Sequence, residues 1–242
     1  MTYKEFFKLA ENKGINKIQI TETTTKKLEI NYIDENLEKY NIAEQVEYFI
    51  KAEKNKKTEK VKTNYIDESI LDLLIMKLKE TDSSYEDEYI TNKKAMSLEE
   101  VKLNSSKNTE KELSTLYELK KINNTISKIK SFYEEYSERI RILNNLGTDI
   151  SSNKNLYSFA AEVIIDNNGE ISSYDKSIIK TEKDKINFKQ FTENIIEEGI
   201  IISTKKDIKT KKYNLILSKS VAGNILSHIA DMLSETNNRI HT

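Results

Sequence analysis

The chain has 242 residues, of which 37% are hydrophobic and 33% are charged. This is enough apolar content for one large or two modest folded domains. The net charge is only -1 and the two signs are interspersed, which argues against a nucleic-acid-binding face and implies no strong electrostatic partner. The absence of cysteine excludes disulfides, thiolate catalysis and Cys-ligated zinc. No apolar run has the length of a signal segment or a membrane span, so the sequence predicts a cytoplasmic protein that does not associate with a membrane.

The beginning of the chain is predicted to form a helix followed by an antiparallel meander. Residues 3–13 carry apolar side chains at helical spacing, and Gly14 follows where a C-terminal cap is expected. The apolar pattern then changes to period two in four short runs, separated by polar turns such as residues 34–36. The runs are residues 18–20, 28–32, 37–42 and 46–50. Alternation of this kind is typical of an antiparallel sheet with one solvated face.

Two further segments complete the predicted N-terminal unit. Residues 51–62 are rich in lysine, which is typical of either a basic patch or a solvated hairpin; the hairpin is favoured because no aromatic residue or arginine is interleaved. Asp67 is predicted to cap a second helix, which covers the dry face of the meander. The apolar stripe of this helix comprises Ile70, Leu71, Leu74, Ile75 and Leu78.

The middle of the chain gives weaker signals. Residues 83–108 are polar and poorly periodic, and we interpret them as a connection. A helical stripe returns between Leu113 and Ile122. The apolar spacing of residues 126–142 fits a continuing helix and also fits a pair of strands, so periodicity leaves both alternatives open.

The last part of the chain is predicted to contain a hairpin and then a strand that leads into a helix. Asn167-Asn168-Gly169 is the clearest hairpin signal, between strands at residues 156–165 and 171–179. A helix begins near Phe188 and is predicted to end at Gly199. Residues 212–218 alternate as a short, mostly buried strand. Ser218 is then expected to cap an amphipathic helix that extends to Glu235.

These elements predict an α+β fold, in which antiparallel sheets carry helices on one face and the chain ends in a strand-helix unit. We expect an N-terminal helix-meander-helix unit at residues 1–82 and a connection at residues 83–108. A second α+β portion is expected at residues 109–242. No solenoid repeat and no sustained heptad pattern is present.

The sequence offers little catalytic chemistry. The five glycines are far apart, so no glycine-rich phosphate loop exists, and His228 and His241 are the only histidines. A zinc-binding helix requires two histidines about one turn apart, and His228 is followed by Ile229, with Met232 four positions later. Acidic pairs such as Glu134-Glu135 and Glu197-Glu198 point apart along a strand or helix. We therefore predict no catalytic, cofactor-binding or metal-binding residues, and expect the His228 ring to pack beside Ile225 and Met232.

The closing segment, residues 212–228 (KYNLILSKSVAGNILSH), resembles the strand and helix at the middle of TldD/PmbA-family proteins. Three other stretches agree with that family in order. They are the opening helix and meander around residues 28–50, the strand end and helix at residues 64–78, and residues 142–147 (ILNNLG) before a strand and an Asn-Gly hairpin. Together these stretches cover most of the chain and resemble the N-terminal portion of a family member.

The resemblance implies a bacterial and archaeal protease system, in which a TldD-type subunit carries an HExxxH zinc helix and a PmbA-type (TldE-type) partner does not. His228 matches the first histidine of that motif, but Ile229 replaces the glutamate and Leu233 replaces the second histidine. The sequence therefore resembles the non-catalytic PmbA/TldE type, with zinc expected only in a TldD-type partner. Family members continue into a C-terminal β-rich domain that is absent here, which implies a fragment or a shortened relative.

Three functional hypotheses follow. The leading one is a PmbA/TldE-like subunit that pairs with a TldD-like subunit, or with a second copy of itself, and acts on unfolded peptides in peptide maturation or small-protein turnover. The second is a peptide- or protein-binding module with no protease role, in which the exposed edge of the meander recruits a peptide by strand addition. The third follows from the family's label as modulators of DNA gyrase and would use residues 51–62 on DNA; the balanced charge disfavours it.

Overall fold

The computed structural model describes residues 1–81, 88–91, 102–103, 107–204 and 209–233. They belong to two compact units, residues 1–204 and residues 205–242. The elements of the first unit are α1 (Tyr3–Asn12), β1 (Lys17–Ile33), β2 (Asn36–Lys54), β3 (Lys57–Thr63), α2 (Glu68–Glu80), α3 (Lys107–Ser114), β4 (Ile126–Asn144), β5 (Asp149–Asn167), β6 (Glu170–Lys180) and α4 (Phe188–Ser203). Short 3-10 helices span Leu116–Ile122 and Lys183–Lys185, and the second unit contains α5 (Lys219–Met232). All six strands form one antiparallel sheet in the order β3-β2-β1-β4-β5-β6, which confirms the predicted α+β class.

Both hydrophobic cores of the first unit lie on the same face of this sheet. Ile18 and Ile20, near the start of β1, pack in a cluster with residues of α1 and α2. Leu28 and Ile30, further along β1, pack in a second cluster with residues of α3, α4 and the 3-10 helix Leu116–Ile122. These four residues are separated by even numbers of positions in a strand whose register is continuous between them, so they point to one face. The prediction that helices pack on one face is confirmed.

The predicted meander contains fewer and longer strands than its apolar pattern indicated. The four short runs belong to two strands, β1 and β2, of 17 and 19 residues. The turn at Asp34 is confirmed, and Asp34 has a positive φ of 53°. The pattern fragmented β1 because residues 21–27 are polar, although Glu22 and Thr24 are buried. A buried polar residue interrupts the hydrophobic alternation without interrupting the strand.

The segment at residues 126–142, left open between helix and strands, is a single strand. β4 pairs antiparallel with β1 on one side and with β5 on the other. The Asn-Gly hairpin is confirmed: β5 and β6 are joined by Asn168 and Gly169, both with positive φ. β4 is thus a central strand of the sheet.

The prediction that Gly199 ends its helix is wrong, because α4 continues to Ser203. Gly199 lies inside the helix, where a Cβ atom would be 3.0 Å from Val163 Cγ2 and 3.1 Å from Ile165 Cδ1. The glycine therefore permits α4 to approach β5 closely.

The lysine-rich residues 51–62 form the β2-β3 hairpin, as predicted, with positive φ at Asn55 and Lys56. Lys51 differs from the predicted solvated hairpin, since it is buried and its Nζ lies 4.4 Å from the centroid of the Tyr89 ring. Tyr89 belongs to the described part of the expected connection at residues 83–108, most of which lies outside the described residues. The next residue, Ile90, is held to the sheet: its N–H donates to Gln19 Oε1 and its carbonyl accepts from Asn144 Nδ2 and Thr148 Oγ1.

In the second unit the predicted helix is present and the predicted strand is not. Ser218 caps α5, and its Oγ accepts a hydrogen bond from the Val221 N–H. Residues 212–218 form no strand within the described part of the chain, and Leu215 and Ile216 are exposed. Alternation predicts a strand only where a neighbouring strand supplies hydrogen bonds. Among the described residues, no helix is long and apolar enough to cross a membrane.

Candidate functional site

His228, the candidate singled out in the sequence, lies in α5 and is exposed. The expectation that its ring packs beside Ile225 and Met232 stays a prediction. Met232, four positions later, is also exposed, and the second histidine, His241, lies outside the described residues. Within the described ranges, no group of three or more His, Cys, Asp or Glu side chains is arranged to hold a metal ion.

The two acidic pairs diverge as expected. Glu135 is buried on the helix-bearing face of the sheet, whereas Glu134 points to the opposite face and pairs with Lys27 at 2.7 Å. In α4, Glu198 accepts hydrogen bonds from Tyr174 and Lys176 of β6. Tyr133 donates a hydrogen bond to Glu135 Oε2 at 3.4 Å, so Glu134, Glu135 and Glu198 each contact a different structural partner.

Between the two cores, a polar strip crosses the helix-bearing face of the sheet. Its centre is a buried ion pair in which Arg139 Nη2 donates to Glu22 Oε1 at 2.8 Å and to Thr24 Oγ1 at 3.4 Å. The hydroxyl of Tyr3, at the start of α1, donates to the other oxygen of Glu22. Arg139 Nε is buried and has no hydrogen-bond partner among the described residues. The ion pair ties β1 to β4 between the two cores.

Two phenols in this region have raised pKa values. Burial is the main cause for Tyr3, and its hydrogen bond to Glu22 adds to the effect on the pKa. Burial also raises the pKa of Tyr133, and the nearby charge of Glu135 raises it further. Both phenols therefore remain protonated at neutral pH and act as hydrogen-bond donors. The strip therefore has the features of a structural hydrogen-bond network.

A cleft of about 630 Å³ lies between the two 3-10 helices. Leu116, Leu119, Ile186 and Phe188 line it together with exposed polar residues that include Glu112, Thr115, Glu118, Asp184, Asn187 and Lys189. This volume is in the range of small-ligand sites. No histidine lines the cleft, so its walls offer no pairing of a nucleophile with an imidazole base.

The outer edge of β2 is open over much of its length. β3 pairs with β2 only between Tyr48 and Lys54, so residues 36–47 have β1 as their single neighbour in the described sheet. Along this open stretch Leu37, Tyr40 and Ile42 are exposed. The edge combines unpaired main-chain groups with apolar side chains.

Comparison with solved structures places this geometry among known folds. A proposed modulator of DNA gyrase from Thermotoga maritima matches with a TM-score of 0.68 and 18% identity over 86% of this chain. A second proposed modulator of DNA gyrase, from Bacteroides thetaiotaomicron, matches with a TM-score of 0.69 and 13% identity over 96% of the chain. TldE from Thermococcus kodakarensis matches with a TM-score of 0.59 and 13% identity over 82% of the chain. This is the fold of TldE and the gyrase modulators. The resemblance to the TldD/PmbA family inferred from the sequence is thus confirmed as a likeness of fold.

The matches have a defined extent. The chain covers 50%, 56% and 46% of the three solved chains, and so spans about half of their length. No protein-family model matches the sequence, and no curated protein matches it. Sequence reasoning identified the helix that carries His228 and proposed an exposed edge of the meander, but it did not show which stretch of which strand is open, and it missed the cleft and the ion pair between Glu22 and Arg139. Those features depend on which segments become neighbours in space.

Proposed function

We propose that this chain is a TldE-like, non-catalytic subunit that pairs with a TldD-like metalloprotease and contributes to the handling of unfolded peptides. The supporting observation is the fold shared with TldE, taken together with the sequence of α5. In α5, His228 is followed by Ile229, and Leu233 stands where an HExxxH motif has its second histidine. A zinc-activated water requires several ligands and a general base, which this helix does not provide.

In this proposal the TldD-like partner cleaves the peptide, and this chain helps to hold the unfolded peptide. Exposed apolar residues of α5, including Ile225 and Leu226, are consistent with a helix that is covered by another protein surface. The balanced charge of the chain offers no basis for DNA binding, so an action on gyrase-bound DNA is the weaker candidate.

The test is to purify the chain alone and together with an HExxxH-containing TldD-like protein from the same genome. Zinc content, co-elution in size-exclusion chromatography and hydrolysis of an unfolded fluorogenic peptide are then measured. We expect the isolated chain to contain no stoichiometric zinc and to cleave nothing. The mixture should co-elute and cleave at a rate that differs from that of the TldD-like protein alone.

His228→Ala is the matched control, because it removes the one histidine of α5 while leaving its apolar residues in place. The mixture should retain its activity with this variant. The proposal is refuted if the isolated chain binds stoichiometric zinc that His228→Ala removes. It is equally refuted if the mixture neither co-elutes nor changes its rate.

A further inference from the structure

We infer that the open edge of β2, residues 36–47, binds an extended peptide as an additional strand whose alternate residues are apolar. This inference deepens the proposed function. The binding of a peptide here does not depend on that function, but the peptide's role as a protease substrate does. Three features of the described structure support it: the unpaired backbone of the edge, the apolar row beside it and the polar character of its other face.

The backbone of residues 36–47 pairs with a strand on one side only in the described sheet. β2 pairs with β1 from Asn36 to Glu53, whereas β3 covers β2 only from Tyr48 onward. Twelve residues at about 3.3 Å per residue give an open edge roughly 40 Å long. Its outward N–H and C=O groups are a template for another strand, because each such group lacks a strand partner in the described sheet.

The side chains on the helix-bearing face continue the second core beyond the part that the helices cover. Ile42 lies opposite Leu28, Tyr40 opposite Ile30 and Leu37 opposite Tyr32. The three β1 residues are buried in the core, whereas Ile42, Tyr40 and Leu37 are 58%, 49% and 46% exposed. Within the described part of the chain, an apolar row therefore extends to the edge of the sheet and stays about half exposed there.

The opposite face of the same stretch is polar. Lys39 Nζ lies 2.8 Å from Glu29 Oε2, and Asn41 Nδ2 donates to the same oxygen at 3.3 Å. A strand added here meets apolar side chains on one face and polar side chains on the other. This asymmetry fixes which face of the incoming strand is apolar, and so sets its register by steps of two residues.

An extended peptide is the occupant that satisfies both features together. A helix satisfies its own main-chain groups and would leave those of the edge unpaired. A strand pairs with the edge and places every second side chain on the apolar row, which is the recognition mode known as strand addition. The edge thus selects unfolded chains with apolar residues at alternate positions.

The experiment measures binding of a fluorescein-labelled peptide, Lys-Leu-Thr-Leu-Thr-Leu-Thr-Leu-Lys, to the chain alone by fluorescence anisotropy. Hydrogen exchange of residues 36–47 is followed with and without the peptide. We expect saturable binding and slower exchange in this stretch. Ile42→Lys should weaken binding by about tenfold or more, since it replaces an apolar contact with a charge.

Phe49→Lys is the matched control: Phe49 is also a large exposed residue of β2, but it points to the opposite face at a position that β3 already covers. A peptide with the same side chains and N-methylated alternate leucines is the backbone control. Binding that survives N-methylation, or that both lysine variants weaken equally, overturns the inference. So does an unchanged exchange rate at residues 36–47, or a dimer of the chain that Ile42→Lys dissociates. No TldD-like protein is present, so failure here is distinct from failure to pair with such a subunit.

Discussion

The buried ion pair between Glu22 and Arg139 gives the most direct test of how the middle of the sheet is held. Their side chains are 7% and 20% exposed, and the two charged atoms are 2.8 Å apart. Glu22→Ala leaves the guanidinium buried with only a 3.4 Å contact to Thr24 Oγ1 and with Nε still unpaired. Removing one partner of a buried pair costs about 3–5 kcal/mol, and the partial exposure of Arg139 places this change near 3 kcal/mol.

Two companion variants separate charge from shape. Glu22→Gln retains a hydrogen-bond acceptor and removes the charge, so its expected cost is roughly 1–2 kcal/mol. The double variant Glu22→Leu/Arg139→Met replaces both charges by apolar groups, and should lie within about 1 kcal/mol of the native protein. Urea unfolding followed by far-UV circular dichroism gives the free energies, with a constant m-value as the check that only stability changes.

Either of two results would contradict a stabilising charge pair at this position. A Glu22→Ala variant within about 0.5 kcal/mol of the native protein would mean that the carboxylate contributes nothing as a charge partner. If the stability lost by Glu22→Leu/Arg139→Met equals the sum of the losses measured for Glu22→Leu and for Arg139→Met alone, the two residues do not interact, since contacting residues deviate from additivity.

Two further predictions follow from individual residues. Hydrogen bonds from Lys39 and, to a smaller extent, from Asn41 lower the pKa of Glu29 to about 2 in the folded protein. The stability that these bonds add is therefore fully present above the ordinary pKa of a glutamate. It is lost as the pH falls through the lower pKa of the folded protein. When the free energy of unfolding is measured as a function of pH, the native protein should be more stable than Glu29→Gln at pH 7, and the difference should disappear towards about pH 2. A difference in stability that grows as the pH falls contradicts this prediction. Gly199→Val should cost roughly 1–3 kcal/mol in the same urea assay, because its side chain meets β5. Gly223→Ala, with nothing within 4 Å of its Cβ, should instead stabilise its helix by roughly 0.5–1 kcal/mol; equal losses at both glycines would refute the steric argument.

Elements with strong local signals were predictable from the sequence. The start of α1, the Asp67 cap of α2 and the turn at Gly169 each depend on residues within a few positions of one another. The continuity of β1 and β4 was not predictable, because their middle positions are polar. Glu22 accepts a hydrogen bond there from Arg139, 117 positions away, and Ser137 Oγ donates to Asn155 Oδ1 at 2.5 Å. No local sequence pattern shows that such polar residues find hydrogen-bond partners in the interior.

The remaining errors have the same origin. Gly199 carries the local signal of a helix end, whereas its actual role depends on Val163 and Ile165 of a neighbouring strand. Residues 212–218 carry the local signal of a buried strand and have no strand neighbour within the described residues. The open edge of β2 is visible only once β3 is known to be too short to cover it. Sequence reasoning therefore found the helix with His228 and an exposed meander edge, but not the residues of that edge that lack a second strand neighbour in the described sheet.

The long strands connect this surface to the proposed role. β1 runs from one core to the other, and over residues 36–47 β2 has β1 as its single strand neighbour in the described sheet. Such an edge pairs with an extended chain whose own main-chain groups are free, as those of an unfolded peptide are. A subunit that needs no metal site could in this way restrict the substrates of a protease partner to unfolded segments. Binding would then depend on Ile42, and peptide cleavage on the partner's zinc, so variants of the two components should affect substrate affinity and turnover separately.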